Sequence, residues 1–280
     1  MIKNVVGIVF ATHSLAACEN ADTAQYAEEI EDASEDLSEV DNGRFSVTTS
    51  VERDESAVET ETEGVFVMTD EGMDWQTSVV MEGPDSDDST KTELSSVDST
   101  TYERFGRVDE EGRYIDQDGE VVNDAEWVKA EEDFGSPLEP LLDIDLDESM
   151  IDDITKEERD ATVVYTVNYS EEFLEQQKEE NLSELEDEVE RLQDADANEQ
   201  IIQSVEHNIA YQEGLTYEAI VLESIVDNEG VLVQYTLETE VQESVAIRPD
   251  SEPGRVTTRN KIEIHEYNDP GIEVILDEME

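Results

Sequence analysis

From Arg44 to Met81 the side chains alternate in character with a period of two, and this constrains the fold more than any other feature of the chain. Phe45, Val47, Thr49 and Val51 fall on one side of the backbone, and Ser46, Thr48, Ser50 and Glu52 on the other. After a turn near Asp54-Glu55, Val58, Thr60, Thr62, Phe66 and Met68 are opposed by Glu59, Glu61 and Glu63, and Asp70-Glu71-Gly72 leads into Met73, Trp75, Thr77, Val79 and Met81. A period of two belongs to extended backbone with one face buried, and tight turns between such runs make an antiparallel meander. Less regular short strands are expected at Thr90–Val97, Tyr102–Phe105, Arg113–Ile115 and Glu126–Ala130. The alternation returns at Val163, Tyr165, Val167 and Tyr169, at Leu215–Val226, at Val231, Val233, Tyr235, Leu237 and Val241, at Val256–Tyr267 and at Ile272–Leu276.

A sheet with one apolar face needs a cover, and three segments have helical spacing. Tyr26, Ile30, Ala33, Leu37 and Val40 recur at intervals of three and four, with Asn42-Gly43 as the stop. Pro137 opens a short section, Leu138–Ile154, with Leu141, Leu142, Leu146, Met150 and Ile151 as its apolar members. Ser170 caps a long helix carrying Leu182, Leu185, Val189 and Leu192, and after a break at Asp194–Asn198 a second helix carries Ile202, Val205 and Ile209. This helical hairpin, 171–212, either packs on the sheet or reaches towards a partner. The expected class is α+β: one large antiparallel sheet with helices on one face. Neither a repeat nor a second composition regime divides residues 24–280, so one domain is the economical reading.

The chain has 78 acidic and 16 basic residues, a formal charge of −62. Such a chain excludes nucleic acid as a partner. With 36% hydrophobic residues and acids in every segment it is read as folded and salt-adapted, its self-repulsion relieved when salt shortens the Debye length.

Leu15-Ala16-Ala17-Cys18 closes an N-terminal segment with one positive charge, Lys3, and a short apolar run, Val5–Phe10, too short for a stable membrane span. Cys18 is the sole cysteine, which leaves no partner for an intramolecular disulfide. This stretch resembles the lipobox of bacterial lipoprotein precursors. The resemblance implies a signal peptide at 1–17, a lipidated Cys18 followed by a short linker to residue 23, and attachment to the extracytoplasmic face of the cell membrane. Loss of residues 1–17 would leave 15 basic against 78 acidic residues, or −63.

The lipobox, the first helix, the short strands at Tyr114-Ile115 and Glu126-Trp127 around an acidic turn, and Tyr267-Asn268 before a closing apolar strand together resemble the LolA/LppX-like superfamily of lipoprotein carriers and cell-surface lipoproteins. That resemblance implies a curved half-barrel with helices packed on its concave face and an apolar cavity for acyl chains. The hairpin at 171–212 departs from the compact members, and no catalytic or ligand motif carries over.

The inward-facing Trp75, Val79, Met81, Tyr165 and Tyr235 admit two readings, plain core or the lining of a lipid pocket. Carboxylate pairs mean little in so acidic a chain. Asp143, Asp145 and Asp147 imitate a calcium loop whose glycine position is Glu148 and whose bidentate acid is Ile154, so no metal is expected. Beyond residue 17 only His207 and His265 remain, and no HExxH, GxSxG or thiol nucleophile is present. The sequence therefore points to a monomeric, non-catalytic, membrane-anchored lipoprotein without a cofactor, binding a hydrophobic ligand such as lipid or lipoprotein acyl chains. The alternative is a structural or interaction lipoprotein of the envelope with a solid core.

Overall fold

The computed structural model describes residues 13–53, 56–69, 72–81, 89–109, 111–116, 120–122, 126–130, 134–142, 144–194, 198–244 and 253–274. The stretch Val5–Phe10, the turn residues 54–55 and 70–71, most of the loop after Met81, and Asp143 lie outside these. The period-two runs up to Tyr267 fall in strands, except that Val231 stands one residue before its strand: β1 (Asn42–Arg53), β2 (Ser56–Thr69), β3 (Gly72–Met81), β4 (Thr90–Val97), β5 (Thr100–Val108), β6 (Tyr114–Ile115), β7 (Val128–Lys129), β8 (Ile151–Arg159), β9 (Thr162–Tyr169), β10 (Leu215–Asp227), β11 (Leu232–Glu243) and β12 (Arg255–Tyr267). All twelve join one antiparallel sheet in the order β6-β5-β4-β3-β2-β1-β12-β11-β10-β9-β8, with β7 beside β5. Two meanders thus meet at the β1–β12 pair, where Val47 stands opposite Ile262.

The register carries the alternation across the sheet intact. Tyr165 faces Ser224, Ser224 faces Tyr235, Tyr235 faces Ile262, and Val47 in turn faces Thr62. Since Glu63 lies opposite Ser78, Val79 falls beside Thr62, and the row continues through Thr92 to Phe105. We call this side the inner face; Glu59, Glu61 and Glu63 point to the outer one.

Helix α1 (His13–Ser38) crosses the inner face over β8, β10 and β11 and buries Ala27, Ile30, Ala33 and Leu37 against the sheet. It starts before the expected linker at 19–23, in keeping with the helix-forming residues Ala16, Ala17, Ala21 and Ala24. The chain between β7 and β8 must travel from one edge of the sheet to the other, and its path crosses the inner face. Leu138, Leu141 and Leu146 are buried there, and α2 (Glu139–Leu142) touches α1 and β11. Ser34 Oγ donates to the Leu141 carbonyl at 2.5 Å, and Leu146 N–H donates to Glu31 Oε1 at 2.9 Å.

The expected helical section 138–154 is corrected by this arrangement. After α2, Asp147 caps a single 3-10 turn, Glu148–Met150, accepting the Ser149 N–H at 2.9 Å. From Ile151 the chain is extended, because β9 supplies a strand partner, with Ile154 opposite Val167. Residues 272–274 are not in a strand, although one was expected from Ile272, and Ile272 is buried. The hairpin helices are α3 (Glu171–Asp194) and α4 (Glu199–Glu213), the latter capped by Asn198. Their apolar stripes are half-buried and the two helices pack on each other; α3 lies against β10, and Tyr211 of α4 reaches Glu243 of β11; none of their described side chains is buried. No helix among the described residues is long and apolar enough to cross a membrane.

Candidate functional site

The inner face divides into a covered part and an open part. Phe45, Phe66, Trp75, Tyr165, Leu222 and Ile264 form one buried cluster with Ile30 and Leu37 of α1. Tyr26 tilts against Tyr165, with ring centroids 6.1 Å apart. A polar clamp closes this end: Glu29 accepts a hydrogen bond from the Tyr165 hydroxyl and an ion pair from Lys156, both at 2.6 Å. Burial and the bond to Glu29 push the Tyr165 hydroxyl up to about 12.

The base of the hairpin covers a second stretch of the same face. Leu215, Val241 and Val256 are buried beneath Tyr211 and Tyr217. Lys178 of α3 donates to the carbonyls of Glu213 and Leu215 at 3.0 and 2.6 Å, and Asn181 donates to the Tyr217 hydroxyl at 2.9 Å. Glu243 has a fully buried side chain and accepts from Arg53 and Tyr211, each at 2.6 Å, and from the Gly254 N–H at 3.0 Å. A buried carboxylate persists only with such partners, and these three draw β1, α4 and the start of β12 together.

The remaining inner face, spanning β1 to β5, is open along its far half. Val51, Val58, Met81 and Phe105 are 39%, 68%, 52% and 66% exposed. Threonines stand among them, Thr49, Thr60, Thr62, Thr90 and Thr92, all at most half-buried or exposed. The decisive property is what this surface lacks. Along the inner side of β1 to β4, from Phe45 to Val51, Val58 to Met68, Met73 to Met81 and Thr90 to Ser96, no position carries a carboxylate, although 78 of the 280 residues are acidic. The adjacent outward positions carry Glu59, Glu61, Glu63, Asp74 and Glu93.

All five residues singled out from the sequence lie on this inner face, yet they do not form one site. Trp75 and Tyr165 are buried core, and Tyr235 is half-buried in the same cluster. Val79 shares a cross-strand row with Tyr165 and Tyr235 but lies at its open end, with Met81 one row beyond. Phe105 on β5 and Val51 and Val58 on the β1–β2 hairpin belong to the open surface and were missed. The pattern of Phe105 beside Glu103 and Arg107 conceals its face until β4 pairs with it. Cys18 falls in the first turns of α1; its side chain lies outside the described residues. Among the described residues no cluster of three or more His, Cys, Asp or Glu could hold a metal ion.

These features define an α+β protein built on one large antiparallel sheet whose inner face is part covered by helix and part bare. No family model and no curated protein matches the chain. Solved structures similar to it include LprF from Mycobacterium bovis, at 10% identity over 89% of this chain and 95% of that one, with a TM-score of 0.37. A DUF1329 family protein from Desulfovibrio piger is similar at 10% identity over 90% and 95%, with a TM-score of 0.28. A LolA superfamily protein from Nitrosomonas europaea, from the superfamily that the sequence resembles, is similar at 9% identity over 87% and 94%, with a TM-score of 0.24. Likeness at this level carries no weight for function, which has to be read from the residues of this chain.

Proposed function

We propose that the protein is an extracytoplasmic lipoprotein, anchored to the membrane through acyl chains on Cys18, that binds a hydrophobic ligand on the open inner face of β1 to β5. One observation carries the reading: in a chain of charge −62, the exposed inner side of β1 to β4 is free of carboxylates and lined by Val51, Val58, Val79 and Met81, with Phe105 of β5 beside them. Exposed apolar side chains gathered on one face of a sheet mark binding surfaces, and this gathering supports an occupant. Valine, methionine and threonine methyl groups on a rigid sheet suit flexible acyl chains, which demand shape and dryness rather than directed hydrogen bonds. Trp75, Tyr165 and Tyr235 serve this reading as the packed floor that holds the sheet in place.

The Cys18→Ser protein, purified without detergent in molar salt, should yield lipid on organic extraction and take up a fluorescent fatty acid. Val79→Trp, which fills the open row, and Phe105→Asp, which places charge in it, should each reduce uptake without changing the circular dichroism spectrum. Protein that gives no lipid and takes up no fatty acid moves the reading to an interaction lipoprotein. The self-packed α3–α4 hairpin, which buries none of its described side chains, favours that alternative.

A further inference from the structure

The opposite side of the sheet holds a cavity of about 480 Å³ that acyl-chain binding does not use. Arg44, Glu63, Gln76 and Ser78 project into it from β1, β2 and β3; Arg104 and Trp127 form one wall, and the segment Gly271–Glu273 another. The wall is rigidly built. The Arg104 guanidinium lies between two rings, 4.6 Å from the centroid of Trp127 and 5.0 Å from that of Tyr114, and its Nε donates to Glu93 at 2.8 Å. Glu93 is itself buried and also accepts from Lys91 and from the Tyr114 hydroxyl, both at 2.9 Å. Burial acts to raise the Glu93 carboxyl, but these hydrogen bonds outweigh it and hold it ionised below its ordinary range. Gly106 completes the support: a Cβ there would stand 2.9 Å from the Tyr114 ring, so only glycine leaves the ring room to lie on β5.

The cavity carries no excess of positive charge. Arg44 and Arg104 are matched by Glu63 and Glu273 in the lining, and each arginine already has an acid beside it, Glu266 at 3.3 Å and Glu93. An anion would meet arginines whose charge is already taken up, and among the described residues no group of three or more acidic, histidine or cysteine side chains stands where it could hold a metal ion. What the cavity offers is a set of planar donors and acceptors on adjacent strands together with an indole. That combination fits a neutral ligand with many hydroxyl groups and one C–H face. We propose that this outer-face cavity is a carbohydrate-binding site for one or two sugar units, with Trp127 as the stacking surface and Arg44, Glu63 and Gln76 as hydrogen-bonding groups. The site is independent of the inner face, so either can fail alone.

The test uses the full-length Cys18→Ser protein and follows tryptophan fluorescence and titration calorimetry with maltose, cellobiose, chitobiose and their monosaccharides, and with inorganic phosphate as an anionic probe. At least one sugar should bind saturably, with equal affinity in dilute and molar salt, because neutral recognition is not screened. Trp127→Ala should weaken that binding by about tenfold or more, and Gln76→Leu should weaken it as well. Both variants should keep the circular dichroism spectrum and melting temperature of the parent, which shows that they are folded. Failure of every sugar to bind, binding that survives Trp127→Ala, or salt-sensitive binding of phosphate alone would each overturn the proposal.

Discussion

Phe45 and Gly64 stand directly opposite each other in the β1–β2 pair, and the phenyl ring occupies the space that a side chain on residue 64 would need. A Cβ there would lie 2.4 Å from Phe45 Cζ and 2.7 Å from the Gln76 carbonyl oxygen. The relationship is reciprocal: Phe66 lies opposite Gly43, whose Cβ would stand 2.5 Å from that ring. Each phenylalanine is seated over the glycine of the partner strand, in the same core cluster as Leu37 and Val40. Gly43, which reads from the sequence as a helix stop, is therefore a packing residue inside β1. Gly64→Ala should destabilise the protein by about 1–3 kcal/mol, the cost of overpacking a fitted core, seen as a melting temperature lowered by several degrees in molar salt.

The clamp between α1 and β8 predicts a pH-dependent difference. Burial acts to raise the Glu29 carboxyl, but hydrogen bonds from Lys156, Tyr165 and Gln25 outweigh it and hold it below its ordinary value. Lys156 is raised, chiefly by its hydrogen bond to Glu29. A depressed carboxyl stabilises above its unfolded pKa and loses that contribution as pH falls through the folded value; a raised lysine stabilises until pH climbs through its folded value. The clamp is therefore complete from about pH 5 to pH 10. Glu29→Gln should cost about 1 kcal/mol in that window, a small figure because the pair is partly solvated, and the gap from the parent protein should close below about pH 4. A gap that persists in acid would show that packing, not charge, sets the cost.

Thermal stability should rise with salt. The strands place their carboxylates side by side on the outer face, as with Glu59, Glu61 and Glu63, each within a Debye length of the others in dilute buffer. Net stability of a domain is only about 5–15 kcal/mol, so repulsion of this kind weighs heavily. Circular dichroism melts in dilute buffer and in molar potassium chloride should differ by well over a few degrees. Equal midpoints would remove salt adaptation as the reason for the acidity.

Cys18→Ser should move the protein from the membrane fraction to the soluble one. Mass spectrometry of the native protein should find residue 18 at the N-terminus, carrying acyl chains. A variant still membrane-bound after removal of residues 1–17 would refute lipid anchoring at this cysteine.

The alternation of side chains determined by itself which way each residue faces. Val79, Tyr165 and Tyr235 can be assigned to a common side from sequence because the direction of a Cβ in extended backbone is a local property. The same locality made α1 and the α3–α4 hairpin legible from apolar spacing, and it failed at Ile151, where a run crowded with charges becomes strand only because β9 lies alongside. Tertiary structure alone decided the rest. Pairing of β1 with β12 brings two meanders into one sheet, and the crossing from β7 to β8 lays Leu138 and Leu141 into the same core cluster as Trp75, which is buried while Met81 stays open. Arg44, Gln76, Arg104 and Trp127 come from four separate segments and meet because strand registers and the return of residues 271–273 place them together. Such contacts depend on which distant strands pair, a choice made by the combined packing of the whole sheet and not by any local pattern.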